Sequence, residues 1–309
     1  MKAVRFHEYG SSDVLVYEDV PIPVPGAGQV LVKVAATSFN PADAKLRAGY
    51  LSEVLPLDLP HVPGLDVAGR VAGVGEGVTA WAEGDAVVAF LPPTDPGAAA
   101  EYVLAPAEVL AAVPEGVDLI QVAALPAPVL TAWQAVFEHG GLRSGQRILV
   151  NGAGGAVGGY AVQLAHRAGA KVTATASPRS TERVRGSGAD EIVDYTATPV
   201  TEALDGGFDV VFNLAPTSPE ETAALAGLTA DGGVFISATT PPPAEPGRGV
   251  KTVAMGTRSD AAQLTELLGR VKSGDLRIDI AERKPLAELP AVHARADQGT
   301  LPGKTVIVI

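Results

Sequence analysis

The sequence predicts an α/β protein of two domains, one β-rich and the other a doubly wound parallel sheet with helices on both faces. Three observations lead there. The first third of the chain carries short apolar stretches broken by Gly and Pro. The middle alternates strand-like and helix-like stretches. Between the first strand and helix of that alternation lies a glycine-rich turn, in "NGAGGAVGGYAVQLAHRAG", Asn151–Gly169. The chain has 309 residues, more than one average domain needs.

Along the chain, "QVLVKVAAT", "DVAGRVAGVG" and "DAVVAF" read as strands of a small barrel or sandwich. The texture changes near residue 117. Ala, Leu and Val then recur at helical spacing from Leu119 to Phe137, up to Gly140 and Gly141. Six strands follow: "RILVNG", "KVTATAS", "EIVDY", "DVVFNLA", "GVFISAT" and "VKTVAM". "TTPPPAEPGRG" is a Pro/Gly-rich loop. "DAAQLTELLGRVKSGDL" is a helix with Leu264, Leu267, Leu268 and Val271 on one stripe, and "GKTVIVI" closes the chain as a strand. The expected domains are 1–117 with 256–309, and 118–255.

Composition narrows the function. The chain is 47% hydrophobic and 19% charged, which suits buried cores and not disorder. Its net charge of −12 disfavours nucleic acid and anionic membrane as partners. With no cysteine, thiolate zinc sites, disulfides and a cysteine nucleophile are excluded. "MKAVRFHEYG" lacks the apolar core of a secretory signal, and no apolar run is long enough to span a membrane. A soluble cytoplasmic protein is the expectation.

In the glycine turn, G-x-G-x-x-G fails from Gly152 because its third glycine would fall on Val157. It works from the next residue as Ala153-x-Gly155-x-x-Gly158, with Ala in the first place. Ala fits a tight turn if its φ stays negative. Gly155 allows close approach of a pyrophosphate, Gly158 lets the helix pack on its strand, and the helix N-terminus offers free N–H groups to the anion. Gly154, Gly155, Ala156, Val157 and Gly158 are therefore the expected backbone contacts. The alternative is a tight turn that binds nothing.

The end of the second strand selects the cofactor. An Asp or Glu there would accept the ribose hydroxyls of NAD. Here the tip reads "TATASPRSTER", with Ser177 and Arg179 first and Glu182 beyond. Ser177 can donate to a 2′-phosphate and Arg179 can pair with it, so NADPH is expected over NADH. The alternative for Arg179 is a solvated loop charge.

These residues, with "FNPADAKLRAGY", "HVPGLDVAGRVAGVGEGV", "AALPAPVLTAWQAV", "GADEIVDY" and "PGKTVIVI", resemble the zinc-independent quinone oxidoreductase branch of the medium-chain dehydrogenase/reductase superfamily. The resemblance runs over nearly the whole chain. It implies a GroES-like catalytic domain made of both chain ends, an inserted Rossmann domain, an active site in the cleft between them, and commonly a homodimer through the Rossmann sheet edge. Zinc-dependent relatives carry a Gly-His-Glu motif where this chain has Leu65 and Asp66. No metal is expected at His61, Asp43 and Asp66.

Without a Lewis acid the hydride acceptor must carry its own electron sink, so quinones and α,β-unsaturated carbonyls are the implied substrates. The resemblance puts Asn40 near the nicotinamide. Asn40, Lys45 and Tyr50 are the candidate catalytic groups; otherwise Asp43 and Lys45 form an ion pair and Tyr50 packs. Thr131 matches a residue near the nicotinamide and Tyr195 one near the adenine ribose. Leu214, Ala215 and Ser237, at later strand ends, complete the cofactor set. An enoyl reductase of natural-product biosynthesis and a non-catalytic NADPH-binding or sensor protein are the rival readings.

Overall fold

The computed structural model describes residues 1–244 and 247–309, and the chain folds as two units, Met1–Ala127 with Ser259–Ile309, and Pro128–Arg258. Part of the expected Pro/Gly-rich loop, 245–246, lies outside the described residues.

The first unit is built on a seven-stranded sheet. Its strands are β3 (Gln29–Ser38), β4 (Asp66–Val74), β5 (Ala86–Phe90), β6 (Tyr102–Pro106), β7 (Ala111–Ala112), β14 (Glu282–Pro285) and β15 (Thr305–Val308). The order is β14-β15-β3-β4-β5-β7, with β6 also on β3. A hairpin of β1 (Lys2–Phe6) and β2 (Leu15–Asp19) accompanies it. The closing segment joins the first third through antiparallel pairing of β15 with β3, Val306 opposite Ser38. In β3, Val30, Val32 and Val34 alternate with Leu31 and Lys33, and these three valines lie in one core cluster with Val67, Val71 and Val87. Helix α1 (Pro41–Arg47) follows β3 directly, with Pro at its first position, where a missing N–H costs nothing. It is tied to α9 (Leu289–Asp297) by the buried Arg47, whose guanidinium makes two 2.9 Å bonds to Asp297 and one of 3.1 Å to His293 Nδ1. Arg47 can only donate, so Nδ1 accepts. Burial, reinforced by that guanidinium, lowers the His293 pKa to about 3.

The expected continuous helix from Leu119 to Phe137 is broken. Helix α2 (Leu119–Val122) and α3 (Pro126–Trp133) are separate, and a π-helical turn, Gln134–His139, leads to Gly140. Pro126 and Pro128 explain the break: neither has an N–H to continue a preceding helix, and both are tolerated in a first turn. The unit boundary falls within α3, some residues beyond the expected 117. Residues 118–127 belong with the first unit because Gln121 bonds Ile278 O and the Ala127 amide bonds Asp66 Oδ1 at 2.7 Å.

The second unit is a six-stranded sheet of β8 (Arg147–Asn151), β9 (Lys171–Ala176), β10 (Glu191–Asp194), β11 (Phe208–Asn213), β12 (Thr229–Ser237) and β13 (Lys251–Ala254). All six are parallel in the order β10-β9-β8-β11-β12-β13. Counted from β8 this is the 3-2-1-4-5-6 order of a doubly wound dinucleotide-binding sheet. The crossovers are α4 (Ala156–Arg167), α5 (Thr181–Gly186), α6 (Val200–Ala203) and α7 (Pro219–Gly227). The strand interiors are apolar, as burial on both faces requires: Ile148, Leu149 and Val150 in β8 are fully buried, as are Val211 and Phe212 in β11. Helix α8 (Ala261–Ser273), in the first unit, is capped by Asp260 and ended by Gly274 in the left-handed conformation.

Candidate functional site

The glycine turn joins β8 to α4 and carries the sharp bend one residue earlier than the motif register predicts. Gly152 has φ 95°, and a Cβ there would lie 3.1 Å from both the Ala215 amide nitrogen and Leu214 Cβ. Ala153 is buried and keeps a negative φ, which is the condition for Ala to replace the first glycine. A Cβ on Gly158 would fall 2.5 Å from Ala153 Cα and Gly152 O, so only glycine lets α4 sit this close. Gly155 differs. The nearest heavy atom to a Cβ there is Gly152 O at 3.6 Å, so internal packing does not call for glycine. Space is open above Gly155, next to the amides of Ala156, Val157 and Gly158 in the first turn of a 12-residue helix, and such first-turn amides have no intrahelical partner and can face an anion. Gly154 packs against Ser180, 2.8 Å from its Oγ if a Cβ were present.

At the end of β9, Ser177 is half-buried and Arg179 exposed, with no ion pair for Arg179 among the described residues. Glu182, the nearest acid, is paired with Arg185 on α5. Arg183, which the sequence reading passed over, donates to Gly154 O and brings a second guanidinium to the turn. Its spacing of four from Arg179 is the signal that was available. Tyr195, just after β10, is exposed and does not pack. Leu214 and Ala215 directly follow β11, and Ser237, which ends β12, is buried. Thr131, in α3, bonds Thr257 Oγ1 at 2.6 Å. Four buried polar residues, Thr175, Asn151, Asn213 and Ser237, lie side by side at the carboxyl ends of β9, β8, β11 and β12. Apart from Ser237, sequence reasoning missed them.

The candidates in the first unit meet a different fate. Asn40 precedes α1 and is buried, with both ends of its carboxamide occupied. Its Nδ2 donates to Asp66 Oδ2 at 2.8 Å, and its Oδ1 accepts from Lys304 Nζ at 2.7 Å. Asp66 also accepts from Ser38 Oγ, from Lys304 at 3.2 Å and from the Ala127 amide. This closed ionic network of Asn40, Asp66, Lys304 and Ser38 was not legible beforehand, because Lys304 comes from the other end of the chain. Burial lowers the Lys304 pKa, opposed by Asp66. Asp43 does not pair with Lys45. Its carboxylate accepts the amides of Asn40 at 2.8 Å, Gly64 at 3.1 Å and Leu65 at 3.3 Å, while Lys45 is exposed. Burial raises the Asp43 pKa to about 6 despite those amides. Tyr50 is 81% exposed, so it does not pack either. His61 is buried against Phe6, and burial lowers its pKa to about 4. With Asp43 and Asp66 saturated by other donors, no three His, Asp or Glu side chains gather to hold a metal ion among the described residues.

A GroES-like β unit interrupted by a Rossmann sheet with this turn is the architecture of the medium-chain dehydrogenases/reductases. Two family models match: "Alcohol dehydrogenase GroES-like domain" over residues 26–115 and "Zinc-binding dehydrogenase" over 187–307. The chain is 34% identical to the chloroplast envelope quinone oxidoreductase homolog of Arabidopsis thaliana, over 99% of this chain and 98% of the relative. It is 35% identical to the 2-methylene-furan-3-one reductase of Solanum lycopersicum, over 99% of this chain and 79% of that one. The solved quinone oxidoreductase of Coxiella burnetii superposes with a TM-score of 0.90 at 28% identity, covering 100% of this chain and 99% of the other. A mycobacterial protein solved in complex with NADPH gives 0.87 at 28% identity, with 100% of both chains covered. The chain belongs to the quinone oxidoreductase group of the medium-chain dehydrogenase/reductase superfamily, oxidoreductases that use a nicotinamide cofactor. No helix among the described residues is long and apolar enough to cross a membrane.

Proposed function

We propose that the protein is an NADPH-dependent reductase of quinones and α,β-unsaturated carbonyls that works without a metal. The observation that carries the cofactor choice is the tip of β9: Ser177 and Arg179 stand there with no carboxylate, and Arg183 adds a second cation at the turn. A 2′-phosphate gains charge-assisted bonds from such a tip, whereas a carboxylate would repel it. When bound, NADPH supplies a hydride from its nicotinamide C4. The chain's own groups bind and orient. The amides after Gly155 hold the pyrophosphate, Leu214, Ala215 and Ser237 line the strand ends, and Tyr195 covers the adenine ribose. Thr131 and Asn40 are assigned to the nicotinamide end, Asn40 as part of its fixed network. Lys45 and Tyr50, both exposed on their own unit, are the candidates to hold or deliver a proton at the acceptor's oxygen.

The acceptor class is supported by the quinone oxidoreductase and furanone reductase relatives. It is also supported by the chemistry at Asp43 and Asp66, whose oxygens are committed to internal donors. An acceptor that delocalises charge onto its own carbonyl needs no Lewis acid. A homodimer through an edge of the second sheet, whose edge strands are β10 and β13, and a cytoplasmic location belong to the same reading. The test is a panel of quinones, enones and saturated ketones with NADPH deuterated at C4. Deuterium should arrive at the β-carbon of enone products, activity should survive exhaustive chelation, and saturated ketones should stay unreacted. Ready turnover of saturated ketones, or one essential zinc per chain, refutes the assignment. Tight NADPH binding with no turnover of any acceptor gives the protein to the non-catalytic binding class.

A further inference from the structure

Parallel strands covered on both faces are normally apolar throughout, yet β9, β8, β11 and β12 place Thr175, Asn151, Asn213 and Ser237 in a row across the centre of the sheet. All four are buried, Asn213 completely. Burying amides and hydroxyls is costly unless they satisfy one another, and here they do. Gly152 N donates to Thr175 Oγ1 at 2.8 Å, and Thr175 Oγ1 donates to Asn151 Oδ1 at 2.9 Å. Asn151 Nδ2 then donates to Asn213 Oδ1 at 2.8 Å. Asn213 Nδ2 reaches Thr217 Oγ1 at 3.1 Å and Ser237 Oγ at 3.3 Å. The backbone reinforces the row: Leu214 N bonds Asn151 O at 2.8 Å, and Ala238 N bonds Asn213 O at 3.0 Å.

One end of this chain of bonds is the amide of Gly152, the positive-φ residue of the glycine turn. The other end is the loop after β11 and the tip of β12. We infer that Asn151, Asn213 and Thr175 are positioning residues for the dinucleotide: the row holds the glycine turn and the Leu214–Ala215 loop at one height, as a single preorganised surface. Among the described residues the row bonds the turn, through Gly152 N, and makes no hydrogen bond to Ser177 or Arg179, the pair assigned to the phosphate. Its effect therefore falls on the part common to NADPH and NADH. The inference rests on the dinucleotide-binding reading above but not on the choice between the two cofactors.

The experiment measures dissociation constants of NADPH and NADH by fluorescence titration of the full chain, with unfolding midpoints recorded for each variant. Thr175→Val removes only the hydroxyl that receives the Gly152 amide. Asn213→Leu cuts the row at its centre. Val211→Ala, in the same strand but in the apolar cluster with Leu149, Phe208 and Leu225, is the control for lost stability. Thr175→Val and Asn213→Leu should weaken both cofactors by the same factor, roughly five- to tenfold. Val211→Ala removes no hydrogen bond of the row and should leave both constants within about twofold, less than the loss of one hydrogen bond. The inference is overturned if Val211→Ala weakens binding as much at an equal drop in midpoint. Unchanged affinities in the row variants, or a loss confined to NADPH, overturn it as well. If Asn213→Leu does not fold, Thr175→Val decides alone. A wild type that binds neither cofactor overturns both this inference and the proposed function; one that prefers NADH overturns only the cofactor choice.

Discussion

Replacing Lys304 with methionine keeps most of the side chain's stem and removes one buried charge. The ammonium is 4% exposed and gives its hydrogens to Asn40 Oδ1 at 2.7 Å, Phe39 O at 3.2 Å and Asp66 Oδ2 at 3.2 Å. After Lys304→Met, the fully buried Asp66 carboxylate keeps Ser38, Asn40 and the Ala127 amide as donors but loses the cation bonded to it. Breaking a buried ion pair from one side costs about 3–5 kcal/mol. The three remaining donors still solvate the carboxylate in part, so the lower end, about 3 kcal/mol, is expected. For a unit of this size each kcal/mol moves the midpoint by about 2–4 °C, so the unfolding of the first unit should shift down by about 6–12 °C. Calorimetry of the whole chain measures it. Adding Asp66→Asn removes the stranded charge, so the double variant should be about 2 kcal/mol more stable than the sum of the two single losses. A loss below about 1 kcal/mol for Lys304→Met, or simple additivity, would refute the view that this pair carries the network.

Asp43 offers a pH test: its folded pKa, about 6, lies above the ordinary 3.8, so the folded chain holds the extra proton between those values and stability falls as pH rises through that window. Asp43→Asn should abolish that slope in unfolding free energies taken from pH 4 to 7, and an unchanged slope would assign it elsewhere. His293 and His61 act in the opposite sense, since their folded pKa values of about 3 and about 4 lie below the ordinary 6.5, so the stability of their neutral forms is lost as pH falls from 6.5 through those values; His61→Phe should flatten the acid limb above pH 4. Arg179→Ala should weaken NADPH by about 1.5–3 kcal/mol and leave NADH untouched, and equal losses in a titration would return Arg179 to the solvated surface. Gly158→Ala should cost about 1–3 kcal/mol in denaturant unfolding, because its Cβ meets backbone at 2.5 Å on two sides.

What the sequence determined by itself is what depends on neighbours along the chain. The alternation of strands and helices from Arg147, the glycine turn, the missing acid at the β9 tip and the absence of cysteine are all local. The parallel sheet and the turn stand in the structure where that periodicity put them. The break at Pro126 was legible too, through the missing N–H of proline, but helical spacing of the surrounding apolar residues masked it. Tertiary structure decided what depends on partners far apart in sequence. Lys304 meets Asp66 across 238 positions and Asn40 across 264, and no spacing rule announces such a pair. The row from Thr175 to Ser237 exists only once four strands are laid in register, because a single Asn at a strand end reads like any other. Asp43 and Lys45 show the same division from the other side. Their closeness in sequence suggested an ion pair, but a helix points residues two apart in different directions, so one was buried against loop amides and the other left in water.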